Sequence, residues 1–308
     1  MKRGKIGEKH KSFDKGNTYS RLKLQSQGSL VFTLNISVVV RTRDKEKYFE
    51  KVLKTLSLQS VLPSEIIVVN NFSSKKSLNV LKESLAIFAD QHGKYGPKIK
   101  LALISDDEFS HPYSTNLGIS LAENEFVCIT NAHSLPISFS WLEDGLQHFK
   151  DKKVACVSGF FYPHQDTHHA RRLSIVAYYL AEKIALSINR NRFATTNCIL
   201  RKTLWKEYPF DENLPKIIPE TKRYGLEDHD WGLEMIARGF KVVIDPKFSV
   251  YHSHESGLEE IKRNLRNFLV YRKIEKKVRQ LKRPRRSFSR LKQALPALAE
   301  EIRDLVEK

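Results

Sequence analysis

The sequence predicts an α/β fold built on a central, mostly parallel sheet, and three observations carry that prediction. Apolar runs of four to six residues recur along the chain, segments of helical periodicity separate them, and the two alternate in strict rotation. Uninterrupted β-branched runs suit strands covered on both faces, and strand–helix rotation suits a parallel sheet sheathed by helices. The first run is Asn35-Ile36-Ser37-Val38-Val39-Val40. Asp44 is placed to cap the next helix, where Phe49, Val52, Leu53 and Leu56 mark one face at i, i+3, i+4 and i+7. Pro63 breaks the chain before Glu65-Ile66-Ile67-Val68-Val69-Asn70, a second buried strand. A helix over 78–89, a strand over 98–104, a helix over 113–123, a strand over 126–130, a helix over 138–149 and a strand over 154–158 continue the rotation.

The 308 residues, 41% of them hydrophobic, can bury one large α/β domain. Cys128, Cys156 and Cys198 are far apart and odd in number, which suggests neither a disulfide framework nor a zinc knuckle and points to a reducing, cytoplasmic setting. No run reaches the roughly 18 apolar residues of a membrane span, and the polar, basic start does not read as a secretory signal.

Charge divides the chain into three parts. Residues 1–34 hold eight Lys/Arg against two Asp/Glu, and residues 257–308 hold sixteen against seven. Of the formal +18, only about +3 therefore falls on residues 35–256. The basic total belongs to the ends, and no nucleic-acid-binding motif accompanies it, so a nucleic-acid partner is not expected. Residues 1–34 read as a flexible basic lead-in, 35–256 as the folded domain, and 257–308 as a basic helical extension. In that extension Leu258, Ile261, Leu265, Phe268 and Leu269 keep helical spacing up to Pro284, and Leu291 to Leu305 keep it beyond. Two readings of these stripes stand open. They could lie on an anionic membrane surface, or pack on the core or on a second subunit of a homo-oligomer.

In parallel sheets ligands bind beyond the carboxyl ends of the strands. The segments there are Arg41-Thr42-Arg43, Asn70-Asn71-Phe72-Ser73-Ser74 and Asn131-Ala132-His133-Ser134. Together with Thr115-Asn116-Leu117-Gly118, Gly225-Leu226-Glu227-Asp228-His229-Asp230-Trp231-Gly232-Leu233 and Gly239 to Pro246, they resemble family-2 glycosyltransferases over roughly residues 35–256. Thr115 to Gly118 is similar to that family's RNxG segment, and Gly225 to Leu233 to its GEDxDLxLR segment.

The resemblance implies an A-type, Rossmann-like nucleotide-sugar-binding fold and an inverting transfer. The sugar would pass from a nucleotide-sugar donor to a glycan or lipid-linked acceptor, in surface polysaccharide or glycolipid synthesis. It implies donor contacts from Arg41, Thr42, Arg43, Asn70, Asn71, Asn116, Asn131 and Ala132, with the two arginines facing the diphosphate. Asp228 would be the general base, supported by Glu227 at a helix start. Asn197 and Trp231 would line the acceptor side, with Trp205 as a further ring to stack on a sugar. The departure lies at Asn131-Ala132-His133, where the family carries Asp-x-Asp to hold Mg²⁺ or Mn²⁺. Both carboxylates are replaced, leaving His133 and His252 as the expected ligands, a set better suited to Mn²⁺ than Mg²⁺. His254 stands second to His252, and His164, His168 and His169 read as surface or acceptor-loop residues. The same departure leaves open a degenerate domain that binds sugar nucleotide or a partner without turnover.

Overall fold

The computed structural model describes residues 35–162, 164, 193–252 and 269–276, all within the unit Leu34–Lys308. The lead-in 1–34, residues 171–188, His168, His169, His254 and the tail apart from 269–276 lie outside the described residues.

A seven-stranded sheet forms the frame, in the order β3-β2-β1-β4-β8-β6-β9. Strands β1 (Ile36–Arg43), β2 (Glu65–Asn71), β3 (Lys98–Ile104) and β4 (Phe126–Asn131) run parallel to one another. Helices α1 (Phe49–Ser57), α2 (Lys75–His92) and α3 (His111–Leu121) connect them. Beyond β4, strand β5 (Leu135–Pro136), helix α4 (Trp141–Leu146), strand β6 (Val154–Ser158) and strand β7 (Phe161–Tyr162) follow.

The period-2 alternation of the strands sorts the core into two layers. Val38 and Val40 of β1, with Ile66 and Val68 of β2, pack under α1, α2 and α4. Val39, Ile67 and Val69 face the other way, against Tyr113 and Leu117 of α3. A Cβ on Gly118 would stand 2.4 Å from Val39 Cγ1, so only glycine lets α3 approach β1 this closely.

Strict rotation ends after β6. Strand β8 (Asn197–Arg201) enters between β4 and β6, antiparallel to both, as an interior strand. Helices α5 (Lys202–Glu207), α6 (Leu214–Ile217), α7 (Thr221–Tyr224) and α8 (Glu227–Ala237) lead to β9 (Lys241–Ile244), parallel to β6. Strand β10 (Val250–Tyr251) sits between β5 and β7 in a small second sheet. Two expectations shift locally. The helix over 138–149 shortens to α4 and a 3₁₀ turn, Gln147–Lys150. Tyr48, not Asp44, precedes α1. Asp44 takes a positive φ of 51° and turns its carboxylate to Ser73 and Ser77, tying the end of β1 to the start of α2. Cys128, Cys156 and Cys198 are free and buried on adjacent strands, and burial pushes their thiols well above the ordinary range. They are inert packing groups.

Residues 269–276 form a helix, α9, that docks on this domain. Val270 and Ile274 are buried with Leu214, Ile218 and Leu226, and Lys273 pairs with Glu220. Leu269, counted in the apolar stripe from sequence, is instead 63% exposed. This part of the tail therefore uses a different face and packs on the core. Among the described residues no helix is long and apolar enough to cross a membrane.

Ile274→Ala is expected to lower unfolding free energy by about 2–5 kcal/mol, as for buried isoleucines generally. Leu269→Ala should change it by less than about 0.5 kcal/mol. Denaturant midpoints of the two variants check the docking; equal effects would contradict it.

Candidate active site

The carboxyl ends of β1 and β4 bring Arg41 opposite Asn131, their Cα positions paired in register. The Arg41 side chain is only 13% exposed. Its Nη1 donates to Thr115 Oγ1 on α3 at 2.7 Å. Its Nη2 donates to Asn131 Oδ1 at 3.2 Å and to the carbonyl and hydroxyl of Thr195 at 3.1 and 3.2 Å. All four acceptors are neutral. The nearest carboxylate is Glu227 Oε1, 3.9 Å from Nη1. Of the five guanidinium N–H groups, Nε–H is buried without a hydrogen-bond partner.

Glu227 and Asp228 open α8 after two residues of positive φ, Gly225 at 75° and Leu226 at 71°. A non-glycine residue in the left-handed region costs roughly 1–3 kcal/mol and is held there by its surroundings; Leu226 is anchored in the apolar cluster shared with α9. That turn aims both carboxylates inward. Glu227 is buried, and burial raises its pKa against the opposing pull of Arg41, while the charge of Asp230 adds to the rise. Asp228 is half-buried, and its Oδ2 accepts from Thr195 N at 3.1 Å. Burial, then the charge of Glu227, pushes its pKa up to about 7, despite the backbone N–H groups of Thr195 and His229. Two acids this close titrate as a pair. Behind them α9 supports the helix: the Tyr271 ring lies 4.2 Å from that of buried His229, with Glu275 3.7 Å from His229 Nε2.

On the other side of Asn131, His133 Nδ1 is hydrogen-bonded to Glu46 Oε2. Burial alone would raise the pKa of Glu46, but the contact with His133 brings it below the ordinary range. The His252 ring stacks on His133 at 4.6 Å, and its Nδ1 lies 3.0 Å from Ser134 Oγ. His164 is buried rather than on the surface; it stacks on Tyr48 at 4.2 Å and holds the His133 carbonyl at 2.8 Å.

The structure thus brings Arg41, Asn131, Glu227 and Asp228 together, with His133 and His252 adjacent. It does not bring the other expected residues to the cleft. Asn70 and Asn71 are buried and donate to the carbonyls of Asp44 and Ile104, bracing strand ends. Asn116 is buried under Trp205 and Phe210, and Thr42 bonds the Asp44 carbonyl. Ala132 is buried, its N–H spent on the Arg41 carbonyl. Asn197 is buried and donates to Phe248. Trp205 and Trp231 lie in the core, with Trp231 Nε1 on the Tyr208 carbonyl, so neither ring is available to a sugar. Arg43 is exposed at the rim, 3.6 Å from Asp106. Sequence reasoning missed Glu46, and it took Thr115 and Thr195 only as parts of motifs. Each acts through a contact across the fold, and no local pattern marks it.

The donor set does not fit a divalent ion. The Asn131 amide oxygen already accepts from a guanidinium, and neither end of the Asn131-Ala132-His133 segment carries a carboxylate. Among the described residues no group of three or more His, Cys, Asp or Glu side chains could hold a metal.

Residues 37–208 match the sequence model described as glycosyl transferase family 2. No curated protein matches the sequence. Among solved structures, the mannosyltransferase PcManGT of Pyrobaculum calidifontis, in complex with GDP-Man and Mn²⁺, is similar over 72% of this chain at 18% identity and a TM-score of 0.52. The similarity spans 58% of that enzyme's length. Glucosyl-3-phosphoglycerate synthase of Mycobacterium tuberculosis, with Mn²⁺, UDP and glucosyl-3-phosphoglycerate, is similar over 74% of this chain and 75% of its own, at 15% identity and a TM-score of 0.47. These likenesses are of fold.

The raised pKa of Asp228 has a consequence for stability. The folded state binds this proton more tightly than the unfolded one, so the contribution is present at acid pH and lost as pH rises through about 7. Asp228→Asn cannot ionise. Thermal melts of the wild type should therefore fall relative to the variant from about pH 4 to about pH 7 and run parallel to it above. Parallel curves would contradict the buried acid pair.

Proposed function

The chain belongs to glycosyltransferase family 2, and from that membership we propose that it moves a sugar from a nucleotide-diphosphate donor to an acceptor hydroxyl, inverting the anomeric centre with Asp228 as base. One observation carries the reading. A carboxylate whose pKa is pushed up to about 7 stands at the start of a helix, at the carboxyl end of the sheet, beside a buried guanidinium. A general base serves best when its pKa lies near the working pH.

In the proposed reaction the acceptor oxygen attacks C1 of the donor sugar from the face opposite the diphosphate. The new C1–O bond forms as the old one breaks, and its electron pair passes to the departing phosphate oxygen. The acceptor proton goes to Asp228. Thr195 holds that carboxylate through its backbone N–H, fixing where the lone pair points. Glu227 sits between the base and Arg41 and keeps the base pKa high through its charge. Every step uses residues of this chain and the two substrates.

A glycan or lipid-linked acceptor, in surface polysaccharide or glycolipid synthesis, is the setting we favour. The excess of nine positive charges on residues 257–308 suits a place at the cytoplasmic face of an anionic membrane. A binding-only domain is the competing reading, prompted by Asn131 and His133, and it gives an inactive wild type.

Asp228→Asn should leave nucleoside-diphosphate affinity within about twofold while transfer falls by about 10²–10⁴, the usual cost of removing a general base. Radiolabelled-donor transfer and calorimetric binding measure the two. Activity above about a tenth of wild type would remove Asp228 from the role.

A further inference from the structure

We infer that the Arg41 guanidinium takes the place of the divalent cation in this site, so that the chain holds its donor diphosphate without a metal. The inference rests on the donor-site reading above and departs from what the family resemblance implies.

The first argument is the donor set. A hard divalent ion between protein and diphosphate needs anionic oxygen, and the motif that supplies it elsewhere in the family holds an amide and an imidazole here, Asn131 and His133. That amide oxygen is 3.2 Å from Arg41 Nη2. A cation bound to Asn131 would share a poorly screened site with a fixed positive charge, and the two would repel.

The second argument is the state of Arg41. A buried cation is normally matched by a close carboxylate, because an unmatched one loses its solvation without return. Arg41 has four neutral acceptors within 3.2 Å and its nearest carboxylate at 3.9 Å. Its Nε–H is buried without an acceptor. Its ion pair with Glu227 lies beyond hydrogen-bond reach, and charge-assisted pairing with phosphate oxygens would add close anionic acceptors in the planar, forked geometry that guanidinium favours.

The third argument is position. Thr115 stands where the RNxG segment carries arginine, and Arg41 Nη1 bonds its hydroxyl at 2.7 Å. The positive charge has moved from α3 to the end of β1, where it reaches both Asn131 and the mouth of the acid helix. From there it meets the negative charge that develops as C1–O cleaves, the kind of preorganised stabilisation that favours a departing anion.

The test is isothermal titration of the full chain with UDP and with GDP, first dialysed against EDTA and then with Mn²⁺ added. The wild type should bind the tighter of the two nucleotides with affinities in EDTA and in Mn²⁺ that agree within about twofold. Arg41→Lys keeps the charge and loses the fork; it should weaken binding about tenfold or more, with an unchanged circular dichroism spectrum. Tightening of the wild type by about tenfold or more on adding Mn²⁺ would overturn the inference and leave the transferase reading intact. So would an Arg41→Lys affinity within about twofold of wild type. Failure of the wild type to bind either nucleotide, with or without Mn²⁺, would overturn the donor-site reading and this inference with it. The wild-type comparison needs no variant, so it stands even if Arg41→Lys folds poorly.

Discussion

A single buried guanidinium organises this molecule's functional end. Arg41 leaves the last turns of β1 and touches α3 through Thr115, the end of β4 through Asn131, and the segment before β8 through Thr195, with Glu227 of α8 beyond. These elements come from residues spread across almost 190 positions of sequence. The contacts are directional, so Arg41 fixes not only that the segments meet but how their polar groups are turned. Thr195 is the hinge of that arrangement, accepting from Arg41 through its carbonyl and donating to Asp228 through its N–H. Asp228 and the guanidinium are thereby linked through one residue.

The electrostatics follow from the same constraint. Two carboxylates forced together at a helix start disfavour their own ionisation, and burial strengthens the effect. The guanidinium opposes it from one side only, which leaves Asp228 poised rather than locked in either state. Backbone strain at Leu226 is the local cost of aiming the acids inward, and it is offset by the apolar cluster that α9 completes. The described stretch of the basic tail is therefore part of the support beneath the acid helix.

Much of the frame was legible in the sequence. The apolar runs located β2 and β6 nearly to the residue because strands buried on both faces cannot admit polar alternation, whereas β1 runs on through Arg41-Thr42-Arg43, the segment expected to follow it. Glu227 and Asp228 were singled out by the resemblance of Gly225 to Leu233 to the family's GEDxDLxLR segment, and the fold places both at the start of α8. What sequence could not show was direction. Asn70, Asn71, Asn116 and Asn197 have the chemistry of ligand-binding groups but spend it on carbonyls of neighbouring segments. Trp231 has the ring of a sugar platform but fills the core. The interior placement of β8 depends on pairing across residues 130 and 197, which no local pattern encodes. Arg41 was found for its position, but its partners were not, since Thr115, Thr195 and Glu227 meet it only in the folded chain.

The claim on which this account turns is that Arg41 is the group that receives the donor diphosphate. The most direct measurement is a crystal structure of the chain grown with UDP or GDP in the presence of EDTA. The account predicts a phosphate oxygen within about 3 Å of an Arg41 nitrogen, with the Asp228 carboxylate open to the acceptor side. A diphosphate seated away from Arg41, with the guanidinium still closed on Thr115, Asn131 and Thr195, would contradict it.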